Sequence, residues 1–249
     1  TREELRGRIR RLEGAVAAVV LALLGLAGWT TLRSPVHHDV VRAERLEIVE
    51  PDGQPAFVLA NSERPARGTF DGEVLMDGRE EQRAVPNFIF FDGHGDEVGG
   101  MLFHNERTRD GFHASRHLSL DGYKQDQTVK LFHEQTPEGA NSGLIVSDRP
   151  EDLSLREAFE EELGLEVPFT PGQADSALKA SLPRGGRAER LRELFGVTRV
   201  YLGSTGDRNA SLVLRDAAGR PRIVLAAPED GDPYVHVLDE EGQPVAGLP

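Results

Sequence analysis

The sequence contains no cysteine in its 249 residues. That absence excludes a disulfide framework, a thiol nucleophile, a cysteine-ligated zinc and an iron–sulfur centre. Lysine is nearly as scarce, with Lys124, Lys130 and Lys179 alone, and 29 basic residues face 42 acidic ones. A chain of net charge −13 lacks the basic face that phosphate backbones require, so nucleic acid is not an expected partner. The signatures of common chemistries are missing too. Gly-x-Ser-x-Gly does not occur, which excludes a nucleophile elbow. His-Glu-x-x-His and a glycine-rich phosphate loop ending in lysine are equally absent. Carboxylate pairs can be drawn anywhere in so acidic a chain and therefore point to no glycosidase site.

Histidine offers little more. His113 and His117 stand four apart, but their surroundings read as a loop entering a strand. On a strand that spacing leaves them about 13 Å apart, too far for one zinc. His37 and His38 read as residues of a membrane interface. The acidic turns Asp92–Asp96 and Glu229–Asp232 share the composition of calcium loops but not their twelve-residue ligand order. These observations predict no catalytic residue, no cofactor site and no metal site, and a protein that is not an enzyme.

What is present begins at the N-terminus. Gly14 to Leu32 runs 19 residues without a charge. As a helix it is about 28 Å long, close to the roughly 30 Å of a bilayer core. Arg2, Arg6, Arg8, Arg10 and Arg11 precede it, and only Arg33 and Arg42 follow closely. The excess of arginine before the run predicts residues 1–13 as a cytoplasmic tail, 14–32 as a transmembrane helix and the rest outside. The run exceeds the usual 7–15 residue core of a cleaved signal, which favours a retained anchor. Trp29 suits the outer interface. Gly14, Ala18, Ala22 and Gly25 fall on one helical face, where small residues let another helix approach closely.

After a linker at 33–43, a recurring unit organises the chain: an acidic residue, Gly three positions on, and an apolar residue six after the Gly. Glu50/Gly53/Leu59, Asp92/Gly95/Met101, Asp216/Gly219/Leu225 and Asp239/Gly242/Leu248 follow it. The acidic side chain accepts backbone hydrogen bonds at a turn, and Gly takes the positive φ that closes it. Leu202, Leu214, Leu225, Val237 and Leu248 repeat every 11 or 12 residues, the rhythm of short antiparallel strands. Pro55, Pro221 and Pro244 follow three of the glycines and predict bulges or edges, because proline cannot donate to a ladder. The reading is a mainly β fold: a periplasmic antiparallel hairpin-repeat domain, sandwich or barrel-like, over 44–150 and completed by a meander over 197–249, with a β-solenoid as the alternative that the looser spacing of the first half disfavours. A helical insert at 151–196 opens on the capping box Ser154–Glu157 and carries the stripe Leu155, Phe159, Leu163. The charged stretch 61–86 predicts a long loop held against something. Phe112 and Tyr123 lie in turn-like segments and are candidate contacts for a partner.

Several segments together carry a likeness. They are Glu50-Pro51-Asp52-Gly53, Phe88–Phe91 before Gly99-Gly100-Met101, Leu120–Gln127 with its Asp121-Gly122-Tyr123, Ile145–Pro150, and the closing Asp239–Gly242 turn. Over roughly 44–249 the chain resembles uncharacterised bacterial membrane-anchored envelope proteins with a β-rich outer domain. The resemblance implies a fold and an inner-membrane location, and no catalytic residue. The small-residue helix face and the outer domain without catalytic constellation are also similar to accessory single-pass subunits of bacterial photosynthetic reaction-centre and light-harvesting complexes. That implies other transmembrane helices and periplasmic subunits as partners. The membrane run holds no histidine to ligate a pigment. Two further expectations belong to other classes: a tethered module for envelope polysaccharide or a small ligand, using Tyr123, Phe112 and Trp29, and an envelope hydrolase with converging carboxylates.

Overall fold

A computed structural model describes residues 2–33, 39–70, 72–78, 85–109, 111–181 and 187–248. It divides into two units, residues 1–42 and 43–249. His37, His38 and part of the 61–86 stretch lie outside the described residues.

The first unit is one helix, α1 (Arg2–Arg33). It contains the whole uncharged run and starts well before it, so the expected tail is helical. Val16, Val19, Val20, Leu21, Leu23, Leu24 and Leu26 are all exposed and occupy the broad side of the helix opposite the small residues Gly14, Ala18, Ala22 and Gly25. Among the described residues no helix is long and apolar enough to cross a membrane.

The second unit is built on one antiparallel sheet. Its strands are β1 (Arg45–Val49), β2 (Pro55–Ala60), β5 (Asn87–Phe91), β6 (Glu97–Thr108), β7 (Gly111–Asp121), β8 (Gln127–Thr136), β9 (Gly139–Asp148), β10 (Val197–Ser204), β11 (Ala210–Arg215), β12 (Pro221–Ala227), β13 (Tyr234–Leu238) and β14 (Pro244–Leu248). The twelve strands lie side by side in chain order. A small hairpin of β3 (Thr69–Phe70) and β4 (Glu73–Val74) stands apart. The meander expected for 197–249 runs through all twelve strands, and with β1 and β14 as its unpaired ends the sheet forms neither the sandwich nor the barrel that were also expected. Every connection is a local hairpin, apart from the 61–86 stretch and the helical insert, so no strand has to cross to a second layer.

The turn chemistry follows the repeat. Gly53, Gly95, Gly219 and Gly242 have φ of +92°, +81°, +77° and +80°. The Asp216 carboxylate accepts from the N–H of Ala218 and of Arg220, both at 3.0 Å. Asp239 does the same for Glu241 and Gln243. Pro55, Pro221 and Pro244 each pair across a register shift, where a missing donor costs no ladder bond.

The core is small and lies on one face. Val58, Ala60 and Ile89 of the sheet bury together with Ala66 of the 61–78 strap, with Leu102 packed against them. Beyond it, Phe70 and Leu75 of the strap meet Phe169 of the helical insert, and Leu155 and Phe159 pack around them. The long stretch is thus held by the insert. The insert consists of α2 (Leu155–Glu157), a π turn over Ala158–Glu162, α3 (Pro171–Ser181) and α4 (Arg187–Phe195). The capping box at Ser154 and Glu157 is present in both directions. Gly164, at φ +66°, ends the first helical segment.

Two of the segments singled out from the sequence, Leu120–Gln127 and Ile145–Pro150, join here. The buried Gln125 side chain donates to the Pro150 carbonyl at 3.0 Å and to that of Leu153. Arg149 donates to the carbonyls of Gln127 and Phe195, tying the two ends of the insert to the sheet. Lys124 reaches from the β7–β8 turn to the nearly buried Asp96 at 2.6 Å, stapling neighbouring turns.

Candidate docking interface

Residues opposite each other in an antiparallel pair share a face, so the register traces rows of side chains across the sheet. One row on the face away from Val58 and Ile89 runs Ile48, Phe57, Phe90, Gly99, Leu120, Val129, Val146, Val200, Leu214, Ile223, Val237, Ala246. The next row runs Leu46, Leu59, Phe88, Met101, Leu118, Leu131, Leu144, Leu202, Leu212, Leu225, Val235, Leu248. Every position but Gly99 is apolar, in all twelve strands. The exception is enforced: a Cβ on Gly99 would meet the Ser119 carbonyl oxygen at 2.4 Å.

None of those apolar side chains is buried. Leu131 is 56% exposed and Leu248 68%. Phe57, Phe88 and Phe90 form a cluster with ring centroids 4.8 to 5.9 Å apart. Beside it Leu46, Ile48, Phe57, Leu59 and Phe88 line a hollow of about 200 Å³. Eleven strand spacings of ~4.8 Å and two rows give a strip roughly 53 Å long and ~12 Å wide, or ~600 Å². Patches of that size on a soluble surface mark interaction sites. Covering it is worth on the order of 10 kcal/mol before association and ordering costs.

The opposite face differs in kind. Its matching row reads Val58, Ile89, Gly100, Ser119, Lys130, Ile145, Tyr201, Val213, Val224, His236, Gly247. It mixes glycine, polar and aromatic residues, and the strap covers its N-terminal part. Near its middle, Arg192, Arg215, Tyr201, Ile145 and Val197 border an open cleft of about 440 Å³. Both guanidiniums there donate to turn carbonyls, Arg192 to Ala218 at 2.9 Å and Arg215 to Gly219 at 3.3 Å.

The residues singled out from the sequence are scattered. Gly14, Ala18, Ala22 and Gly25 are exposed on α1, and a Cβ on Gly14 or Gly25 would meet nothing within 4 Å. Trp29 is exposed on the same helix. Tyr123 sits in the β7–β8 turn, 79% exposed, with Lys124 Nζ 5.9 Å from its ring centroid. Phe112 is corrected from turn to strand: it pairs with Arg107 near the start of β7. The two aromatics stand at opposite ends of that strand, roughly 30 Å apart, so they cannot grip one small ligand. His113 and His117 lie on β7, and among the described residues no cluster of His, Asp and Glu could hold a metal ion. The apolar rows were missed as a face, although the repeat marked them. Leu59, Met101, Leu225 and Leu248, each six after a turn glycine, all fall in one row.

The chain was compared with known proteins. No family model, curated protein or solved structure matches it.

Proposed function

We propose that this protein is a non-catalytic docking subunit, tethered to a membrane by α1 and holding a protein partner on the bare face of its sheet. The observation that carries the reading is the pair of apolar rows kept through every strand while the rest of the unit is acidic. A sheet needs one apolar face to pack, and this one has a second, larger one that no described residue of its unit covers. The tether rests on the uncharged 19-residue run, the arginine excess before it and the exposed aliphatic side chains that cover the helix opposite its Gly/Ala stripe. By the same charge rule the N-terminus is cytoplasmic and the sheet periplasmic in a bacterial inner membrane. The stripe Gly14, Ala18, Ala22, Gly25 is a place for a partner helix, as in an accessory subunit of a larger membrane assembly such as a photosynthetic one.

The test is purification from native membranes in mild detergent, with mass spectrometry and an absorption spectrum. The reading expects a stoichiometric complex that Leu131→Glu with Leu202→Glu disrupts. Ala18→Leu with Ala22→Leu should loosen it through the helix. An unaltered set of co-purifying proteins in both variants would remove the reading. A second reading, a tethered ligand-binding module, draws on the Arg192 and Arg215 cleft. It expects a thermal shift with small carboxylates that Arg215→Met abolishes.

A further inference from the structure

We infer that the bare apolar face is self-complementary and that its occupant is a second copy of this chain, laid face to face as the other half of a sandwich. The inference rests on the docking reading above and names the partner. Length is the first argument. A foreign helix following the strip would need about 35 residues of unbroken apolar stripe. A second copy carries a strip of the same length and spacing, and stacked sheets at ~10 Å interdigitate such side chains.

Charge is the second argument. Residues 33–249 hold 24 basic and 39 acidic residues, so two copies repel over most approaches. The two rows carry no charge at all, and only through them can acidic copies meet without opposing carboxylates. The same excess disfavours an anionic lipid surface as the occupant.

Symmetry and area complete the case. β8 and β9 are the middle strands of the twelve, and their rungs are Val129, Leu131, Leu144 and Val146. Val129 faces Val146 and Leu131 faces Leu144. A two-fold axis in the interface along this midline sets valine against valine and leucine against leucine, so the reciprocal contacts of an isologous interface are matched in size. The strip on both copies totals ~1,200 Å², the lower edge of standard specific interfaces.

The experiment uses the full chain in mild detergent, with mass read by light scattering. Because the chain has no cysteine, Leu144→Cys supplies a single thiol at the midpoint and Tyr123→Cys one at a strand end. The inference expects a two-chain particle in which Cys at 144 joins to its own copy through a short bis-maleimide, whereas Cys at 123 does not. Leu131→Glu with Leu202→Glu should weaken self-association by ~tenfold or more and abolish the cross-link, with an unchanged circular dichroism spectrum. A single-chain particle with no self-cross-link at 144 overturns the inference. If that monomer cross-links through 144 to another membrane protein, the docking reading survives without the second copy. If Cys at 144 is instead protected only on neutral phosphatidylcholine vesicles, the occupant is lipid and the second copy is wrong. If the glutamate pair alters nothing in native membranes either, both fall.

Discussion

The two faces of the sheet are made by the same strands and have met opposite fates. On one, Val58 and Ile89 are wholly buried beneath the 61–78 strap, and Phe169 is sealed between strap and insert. On the other, two complete apolar rows stand in the open. The covered face is the less apolar of the two. Apolar content therefore does not tell which side of this sheet the chain closes by itself. The difference lies in what packs where: among the described residues the strap and the insert lie against the mixed face, and no described segment of this unit covers the apolar rows. A face kept apolar through twelve strands yet left bare is the observation on which the proposed docking role rests.

The contrast can be broken on the closed side first. Phe169→Ala removes the ring joining strap and insert and should cost about 3–5 kcal/mol in denaturant unfolding. It should also open the insert to limited proteolysis. Ile89→Ala should cost about 2–5 kcal/mol, whereas Leu131→Ala on the bare face should cost under about 1 kcal/mol in the dissociated chain. A Leu131→Ala penalty equal to that of Ile89→Ala in the dissociated chain would show that the rows are already buried. Arg149→Met leaves the carbonyls of Gln127 and Phe195 without their donor and should cost about 1–3 kcal/mol, seen as faster amide exchange at both ends of the insert.

Acid gives the smallest effect. The hydroxyl and N–H of Ser154 hold the Glu157 carboxyl below its ordinary value of 4.5. The Thr205 hydroxyl does the same for Asp207, ordinarily 3.8. At Asp216 partial desolvation pushes upward, but the N–H and guanidinium of Arg220 prevail and lower it. A carboxyl whose folded pKa is depressed contributes stability that is complete above its unfolded value and fades as pH falls through the folded one. Stability should therefore decline gently below about pH 4, and Asp216→Asn should flatten that decline. A decline beginning near neutrality would contradict this origin.

Much of the fold was legible because it is local. The acidic residue and the glycine at positive φ specify four of the hairpins within a few residues, three of them with a following proline, and the structure has them where the sequence puts them. The capping box at Ser154 and the stop at Gly164 are equally local. The number of layers was not legible. Runs such as Leu212-Val213-Leu214 are apolar on both faces, so they do not say whether the chain folds back on itself. Only the register, which puts Leu212 beside Leu202 and Leu225, separates one face from the other. Phe112 was misplaced because Gly111 resembles a turn residue, yet it opens β7. The docking face had a sequence trace in the apolar residue six after each turn glycine, but a repeat of that kind also fits a buried core.

The central claim is that the apolar face is covered in the working state of the protein. The most direct measurement is maleimide labelling of Leu131→Cys in native membranes, before and after dissociating the assembly with detergent. The account predicts that the thiol is protected in the membrane and reacts at least tenfold faster after dissociation, with Tyr123→Cys reactive in both. Equal, rapid labelling of Cys at 131 in the membrane would contradict it, because the face would then be bare where the protein works.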